Sequence, residues 1–190
     1  MIEVTRETKE TQITVRLKLY GTGRATINTG VGFYDHMLEA FTKHAHIDLE
    51  VTCIGDTHID DHHTVEDIAI VIGQALKKAI YPVNSIERFG NATVVMDEAS
   101  VTCDIDLSNR GFLVFELPIG GKVGDFDVEL VEEFFKAFAF NLPMTLHLIY
   151  NRGKNKHHII EAAFKALAVA LRRAVTVNEN AGIPSTKGVL

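Results

Sequence analysis

The chain has 190 residues, of which 46% are hydrophobic and 23% are charged, and its formal net charge at pH 7 is −6. This composition predicts a globular protein with one ordinary domain or two small ones. It excludes the basic surface that nucleic-acid binding requires, and no apolar run reaches the roughly 18 residues that span a bilayer. The 2 cysteines form no CxxC pair, so we expect a cytoplasmic protein with free thiols.

The first half of the chain is predicted to contain four strands and two helices. Alternating apolar and polar residues indicate the strands, and apolar residues at a spacing of three or four indicate the helices. The predicted strands are residues 2–9, 12–19, 24–29 and 47–54, and the predicted helices are residues 33–45 and 61–81. Asp60 or Asp61 is available to cap the second helix.

The second half repeats this order of elements. Its predicted strands are residues 91–99, 101–108, 112–117 and 144–150, and its predicted helices are residues 127–142 and 157–177. The last helix of each half opens on the same motif, "HHTVE" at 62–66 and "HHIIE" at 157–161. This agreement predicts an internal duplication. We expect one domain over residues 1–190, built from two pseudo-repeats at about 1–88 and 89–180 and a tail at 181–190.

The two HHxxE motifs concentrate titratable side chains at the start of a helix. Residues three or four apart share a helical face, so the glutamate can meet either histidine, while the two histidines diverge by about 100°. An acidic helix start is also ordinary capping and dipole chemistry, but two copies in register favour a metal site. Imidazoles and carboxylates without thiolates favour Mn²⁺ or Fe²⁺ over structural zinc. The candidate ligands are His62, His63, Glu66, His157, His158, Glu161 and, on the preceding helix, His36.

Several cationic and hydroxyl side chains are candidates for binding a phosphate. The tail "PSTKGVL" places two hydroxyls and a lysine beside a glycine, an arrangement that suits an anion. Each cation taken alone is more often a solvated surface charge than a phosphate ligand. The candidates are Arg88, Arg110, Lys165, Ser185, Thr186 and Lys187.

Four segments together closely resemble the imidazoleglycerol-phosphate dehydratase family. They are "GVGFYDHML", "DDHHTVEDIAIVIGQAL", "HHIIEAAFKALAVALRRA" and "STKGV", and the resemblance extends over essentially the whole chain. It implies an α+β fold made of a duplicated half-domain of the ribosomal S5 domain 2-like type, with two four-stranded sheets backed by helices. It also implies a homo-oligomer of twenty-four chains (a 24-mer), active sites between chains, and two Mn²⁺ ions in each site.

The resemblance further implies roles for individual residues. The implied metal ligands are the seven candidates named above, of which His36, Glu66 and Glu161 are also expected to be catalytic. Glu10 is the expected proton-transfer carboxylate and a substrate contact, together with the six phosphate-binding candidates. Glu133 stands where many members of the family have a metal-binding histidine. The expectation there is either a carboxylate ligand or an ion that has lost one ligand to water.

The implied reaction is the dehydration of D-erythro-imidazoleglycerol phosphate to imidazole acetol phosphate in histidine biosynthesis. The proton to be removed is not acidic, because no carbonyl lies beside it. Two metal ions at the imidazole nitrogens would favour loss of the ring proton to give imidazolate, an electron-rich ring that can expel the adjacent hydroxyl. The alternatives are another two-metal enzyme, such as a metallohydrolase, a metal-binding oligomeric shell, and a purely structural role for the His and Glu residues between subunits.

Overall fold

The first half of the chain forms a four-stranded sheet with two helices on one face. In this computed structural model, which describes residues 1–190, the strand order is β1-β2-β4-β3. The first three neighbours pair antiparallel, and β3 runs parallel to β4. The elements are β1 (Ile2–Glu7), β2 (Thr11–Lys18), β3 (Ala25–Asn28), α1 (Gly32–Ala45), β4 (Asp48–Gly55) and α2 (His62–Ile80).

The second half forms an equivalent sheet in the order β5-β6-β10-β7. Its outer strand β7 again runs parallel to its neighbour, and the other pairs are antiparallel. The predicted α+β class with two four-stranded sheets is therefore confirmed. The elements are β5 (Phe89–Met96), β6 (Ala99–Asp106), β7 (Phe112–Glu116), β8 (Lys122–Val123), β9 (Phe126–Asp127), α3 (Leu130–Asn141), β10 (Thr145–Arg152) and α4 (Lys156–Ala174).

A small hairpin of β8 and β9 precedes α3 and was not predicted. The helix begins at Leu130, not at residue 127, because Phe126 and Asp127 pair with β8. Two strands of 2 residues each are too short to produce an alternating pattern. The turn between them contains Gly124 at φ 59°, a left-handed conformation that glycine adopts at little cost.

The helices of the two halves pack against each other, α1 with α4 and α2 with α3. A single cluster of 55 buried residues runs through both halves. Aromatic rings from three helices meet at its centre. The ring centroid of Phe134 on α3 lies 4.7 Å from that of Phe164 on α4 and 5.8 Å from that of Tyr34 on α1. Rigid packing of this kind fixes the position of α1 relative to α4.

Helix α4 also lies very close to the second sheet. A methyl group added at Gly90 of β5 would overlap the backbone carbonyl of Ala170, so glycine permits the close approach of strand and helix. None of the four helices is both long and apolar enough to cross a membrane.

Candidate active site

Both histidine pairs lie at the N-terminus of a helix, and both helices are capped by a side chain two residues before the pair. The carboxylate of Asp60 accepts a hydrogen bond from the His62 amide at 2.8 Å. In the second half, the Asn155 side chain accepts from the His157 amide at 2.9 Å. Asp61 occupies the N-cap position of α2 but makes no side-chain cap bond, so Asp60 provides the cap.

The two imidazoles of each pair diverge as the helical spacing predicts. The ring centroids of His62 and His63 lie 6.1 Å apart with planes at 80°. The rings of His157 and His158 lie 6.3 Å apart at 77°. The near identity of these values means that the two halves present their imidazoles in the same way, and that each pair points in two directions.

Three predicted ligands from both halves converge between α1 and α4. His36 Nε2 lies 3.4 Å from Glu161 Oε2, and His157 Nε2 lies 3.1 Å from the same oxygen. Their ligand atoms all lie within 4.8 Å of one another. The ring of Phe33 supports His157 edge-on at 5.2 Å. Imidazole nitrogens and a carboxylate oxygen gathered at this spacing can hold one transition-metal ion.

Glu161 is buried, with a relative exposure of 5%. Burial opposes its ionisation, but the hydrogen bond and charge of Lys165 outweigh burial, so the pKa of Glu161 lies below its usual value. Lys165 Nζ is 2.6 Å from Glu161 Oε1. The glutamate is therefore held as a carboxylate, which is the form that binds a metal ion.

The histidines of α2 make separate contacts. His62 Nε2 lies 3.6 Å from Glu66 Oε2, one helical turn away. His63 turns instead towards the loop before α2, where its Nδ1 is 3.0 Å from Asp56 Oδ2 and its Nε2 is 3.8 Å from Glu10 Oε1. The hydrogen bond to Asp56 raises the pKa of His63, and the nearby charge of Glu10 adds to the effect.

Glu10 lies in a turn that is tied to the α2 side of the site. Its amide donates to the Thr8 hydroxyl at 3.1 Å, and its carbonyl accepts from the Asp56 amide at 3.1 Å. The next residue, Thr11, donates its hydroxyl to the buried carboxylate of Asp67 at 2.5 Å. These contacts hold Glu10 and His63 in a fixed relation, although the Glu10 side chain itself is exposed.

The phosphate-binding candidates other than Lys165 line one cavity of about 780 Å³. Its walls combine the start of β5, the turn after β6 and the C-terminal tail. None of the predicted metal ligands lines it. The predicted residues in its walls are Arg88, Arg110, Ser185, Thr186 and Lys187.

Arg88 connects the tail to the sheet. Its guanidinium forms two bonds to Asp106, at 2.7 Å and 3.1 Å, and donates a third to the Pro184 carbonyl at 2.7 Å. Such a bidentate pair fixes the plane of the guanidinium. The tail is thus anchored immediately before Ser185, and the Arg88 guanidinium has a defined position in the cavity.

Residues 29–171 match the family model of imidazoleglycerol-phosphate dehydratase. The chain belongs to the imidazoleglycerol-phosphate dehydratase family. It is accordingly an enzyme of histidine biosynthesis and a hydro-lyase.

Relatives of the same family resemble the chain over its full length. The dehydratase of a Sulfurovum species is 89% identical over 100% of both chains. Two solved dehydratase structures share the fold. The Staphylococcus aureus enzyme has a TM-score of 0.83 at 40% identity and covers 93% of this chain and 99% of its own. The Pyrococcus furiosus enzyme, solved in complex with (S)-C348, has a TM-score of 0.86 at 38% identity and covers 98% of this chain and 100% of its own.

Glu133 of this dehydratase chain occupies the position on α3 that corresponds to His36 on α1. Helix α3, which carries Glu133, packs on α2, which carries His62 and Glu66, as α1 packs on α4. The Glu133 carboxylate lies 3.9 Å from Lys136 Nζ. These α2 and α3 groups do not converge within one chain as the α1 and α4 groups do.

One carboxylate next to the dehydratase site was missed by sequence reasoning. Glu98, in the turn between β5 and β6, places Oε2 at 2.7 Å from His158 Nδ1. That hydrogen bond, with those from the Asn155 and Lys154 amides, lowers the pKa of Glu98 to about 2. No local pattern could have revealed the contact, because it joins a strand turn to a helix start that lies far along the chain.

Proposed function

We propose that the enzyme catalyses the Mn²⁺-dependent dehydration of D-erythro-imidazoleglycerol phosphate to imidazole acetol phosphate and water. The observation that carries the proposal is the convergence of His36, His157 and Glu161 within 4.8 Å in a chain of this family. The expected cytoplasmic location stays a prediction.

The donor set fits Mn²⁺. Nitrogen and carboxylate ligands without thiolates suit this ion, and both cysteines are buried elsewhere as free thiols. When bound, two ions would act as Lewis acids towards the imidazole ring of the substrate and as a template for it. The residues that would hold them are His36, His62, His63, Glu66, His157, His158 and Glu161, with Glu133 as a candidate eighth ligand.

Glu10 is the proposed proton-transfer group. Its carboxylate is the one that approaches Nε2 of His63, at 3.8 Å, and 52% of its side chain remains exposed to meet a substrate. In the reaction it would take the proton from the middle carbon of the glycerol arm. His36, Glu66 and Glu161 would contribute to catalysis by holding the ions that act on the imidazole ring of the substrate.

The cavity of the tail is proposed to bind the phosphate. Arg110, Ser185, Thr186 and Lys187 would supply charge-assisted hydrogen bonds, and Arg88 would both add charge and hold the tail in place. Lys165, beside Glu161, would meet the substrate at its metal-bound end. Anchoring the phosphate orients the reacting end of the arm.

The active site is proposed to be completed by neighbouring chains in a 24-mer. Within one chain, the cavity contains none of the metal ligands, and His62, His63 and His158 lie outside the converging group. An imidazole with a glycerol phosphate arm is a short molecule. To bind it, the metal ligands and the phosphate-binding cavity must lie close together. Ligands drawn from adjacent chains would satisfy this requirement.

An assay on metal-stripped enzyme tests the proposal. Activity should be absent after chelation and return with Mn²⁺, at about two ions per chain, and the product should be a ketone without release of phosphate. One tightly bound Zn²⁺ and no response to Mn²⁺ would contradict the proposal. Phosphate release would favour a metallohydrolase, and uptake of many ions per chain would favour a metal-storing shell.

Lys187→Ala is expected to raise KM strongly. A phosphate contact at the unreactive end mainly contributes binding that is equal in ground state and transition state, although a smaller loss of kcat can follow from poorer orientation. Steady-state kinetics measures both, with Lys78→Ala at the exposed end of α2 as the control. An unchanged KM would mean that the tail does not bind substrate.

A further inference from the structure

In each half, the second histidine of the pair turns its Nδ1 towards a carboxylate. The distance is 3.0 Å from His63 to Asp56 and 2.7 Å from His158 to Glu98. The two carboxylates come from different places in the fold. Asp56 lies in the loop between β4 and α2, seven residues before His63, whereas Glu98 lies in the β5–β6 turn, far along the chain from His158.

A neutral imidazole carries its single proton on one nitrogen only. A carboxylate at Nδ1 accepts a hydrogen bond and so keeps the proton there, which leaves the lone pair of Nε2 free for a metal ion. The carboxylate contact thus determines whether the histidine, before the ion binds, is in the tautomer that can bind a metal ion.

We propose that Glu98 is a positioning residue that holds His158 in the tautomer and orientation required for metal binding, and that Asp56 does the same for His63 with less constraint. This inference rests on the Mn²⁺ site of the proposed function, and it adds two residues that do not touch the ion.

The surroundings of the two carboxylates differ in a way that separates their roles. Glu98 Oε1 accepts hydrogen bonds from the backbone amides of Lys154 and Asn155, at 3.1 Å and 2.7 Å. Only Oε2 is left for His158, so the orientation of the whole group is fixed. Asp56 Oδ1, by contrast, is buried and has no hydrogen-bond partner.

The difference has a direct consequence for amide substitutions. In Glu98→Gln the two backbone N–H groups require the amide oxygen, so the NH₂ group must face His158. An NH₂ group donates, and it therefore favours the tautomer with a bare Nδ1 and a protonated Nε2, which cannot bind the ion. In Asp56→Asn nothing holds the other end of the amide, so its oxygen remains free to face His63.

The test compares Mn²⁺ affinity in three variants of the full-length protein by titration of the metal-stripped form. Loss of an outer partner of a metal ligand typically weakens binding about 10- to 100-fold. Glu98→Gln should show a loss of this size, confined to one of the two ions. Asp56→Asn, which loses the same charge, should lose only a few-fold.

Glu98→Ala separates positioning from structural support. Alanine leaves the amides of Lys154 and Asn155 without their acceptor but places no donor against His158. We therefore expect Mn²⁺ affinity to follow the order wild type, Ala, Gln, and the thermal stability of the metal-free protein to follow the order wild type, Gln, Ala. A residue with only a structural role would put alanine last in both measurements.

The result that overturns the inference is distinct from failure of the proposed function. If wild-type protein binds two Mn²⁺ ions and Glu98→Gln binds them equally well, or no worse than Glu98→Ala, the positioning role is wrong. Equal losses in Glu98→Gln and Asp56→Asn would also contradict it, because charge alone would then explain both. If wild-type protein binds no Mn²⁺, the proposed metal site itself is wrong.

Discussion

Glu10→Gln is expected to lower kcat by a factor of about 10² to 10⁴, the usual cost of losing a general base. Glutamine keeps the shape of the side chain but cannot take a proton. The turn should remain intact, because the backbone of Glu10 and the Thr11–Asp67 contact hold it. Substrate should still bind, so a single-turnover experiment would find normal binding and slow chemistry.

Glu7→Gln is the matched control for this variant. It makes the same chemical change three residues earlier, at the exposed end of β1, and should leave turnover near that of the wild type. Near-normal turnover in Glu10→Gln itself would transfer the proton-transfer role to another carboxylate.

Removing the metal is expected to break the assembly into smaller oligomers, and adding Mn²⁺ should restore it. One chain gathers only His36, His157 and Glu161 into a common group, and the proposed function completes the site with ligands from a neighbour. A site that exists only in the assembled state makes metal binding favour assembly by mass action. Size-exclusion chromatography with light scattering, before and after chelation, measures the change.

His63→Ala should weaken the assembly and abolish activity without chelation. His58→Ala provides the control, because His58 is an exposed histidine in the loop that precedes α2. If the metal-stripped protein and His63→Ala both remain full-size particles, the ions occupy interfaces that are already stable without them.

The order of helices and strands could be predicted from the sequence because it depends on local patterns. The alternation in β2 places Ile13, Val15 and Leu17 inward, and the divergence of each histidine pair follows from helix geometry alone. The β8–β9 hairpin could not be predicted, because strands this short depend on contacts with the rest of the fold and not on a repeating pattern.

The arrangement of the candidate site was only partly predictable for a related reason. The repeat at the two HHxxE motifs indicates which residues belong to it. The approach of His36 to Glu161 depends on how the two halves pack, and the approach of Glu98 to His158 depends on how the β5–β6 turn meets α4. No local sequence pattern encodes either contact.

Helix α1 packs on α4 and helix α2 packs on α3, so each of these contacts joins one helix from each half of the chain. The α1–α4 group has two imidazoles and one carboxylate, whereas the corresponding α2–α3 positions hold His62, Glu66 and Glu133. The two helix pairs therefore carry unequal sets of donors, with one more imidazole in the first and one more carboxylate in the second.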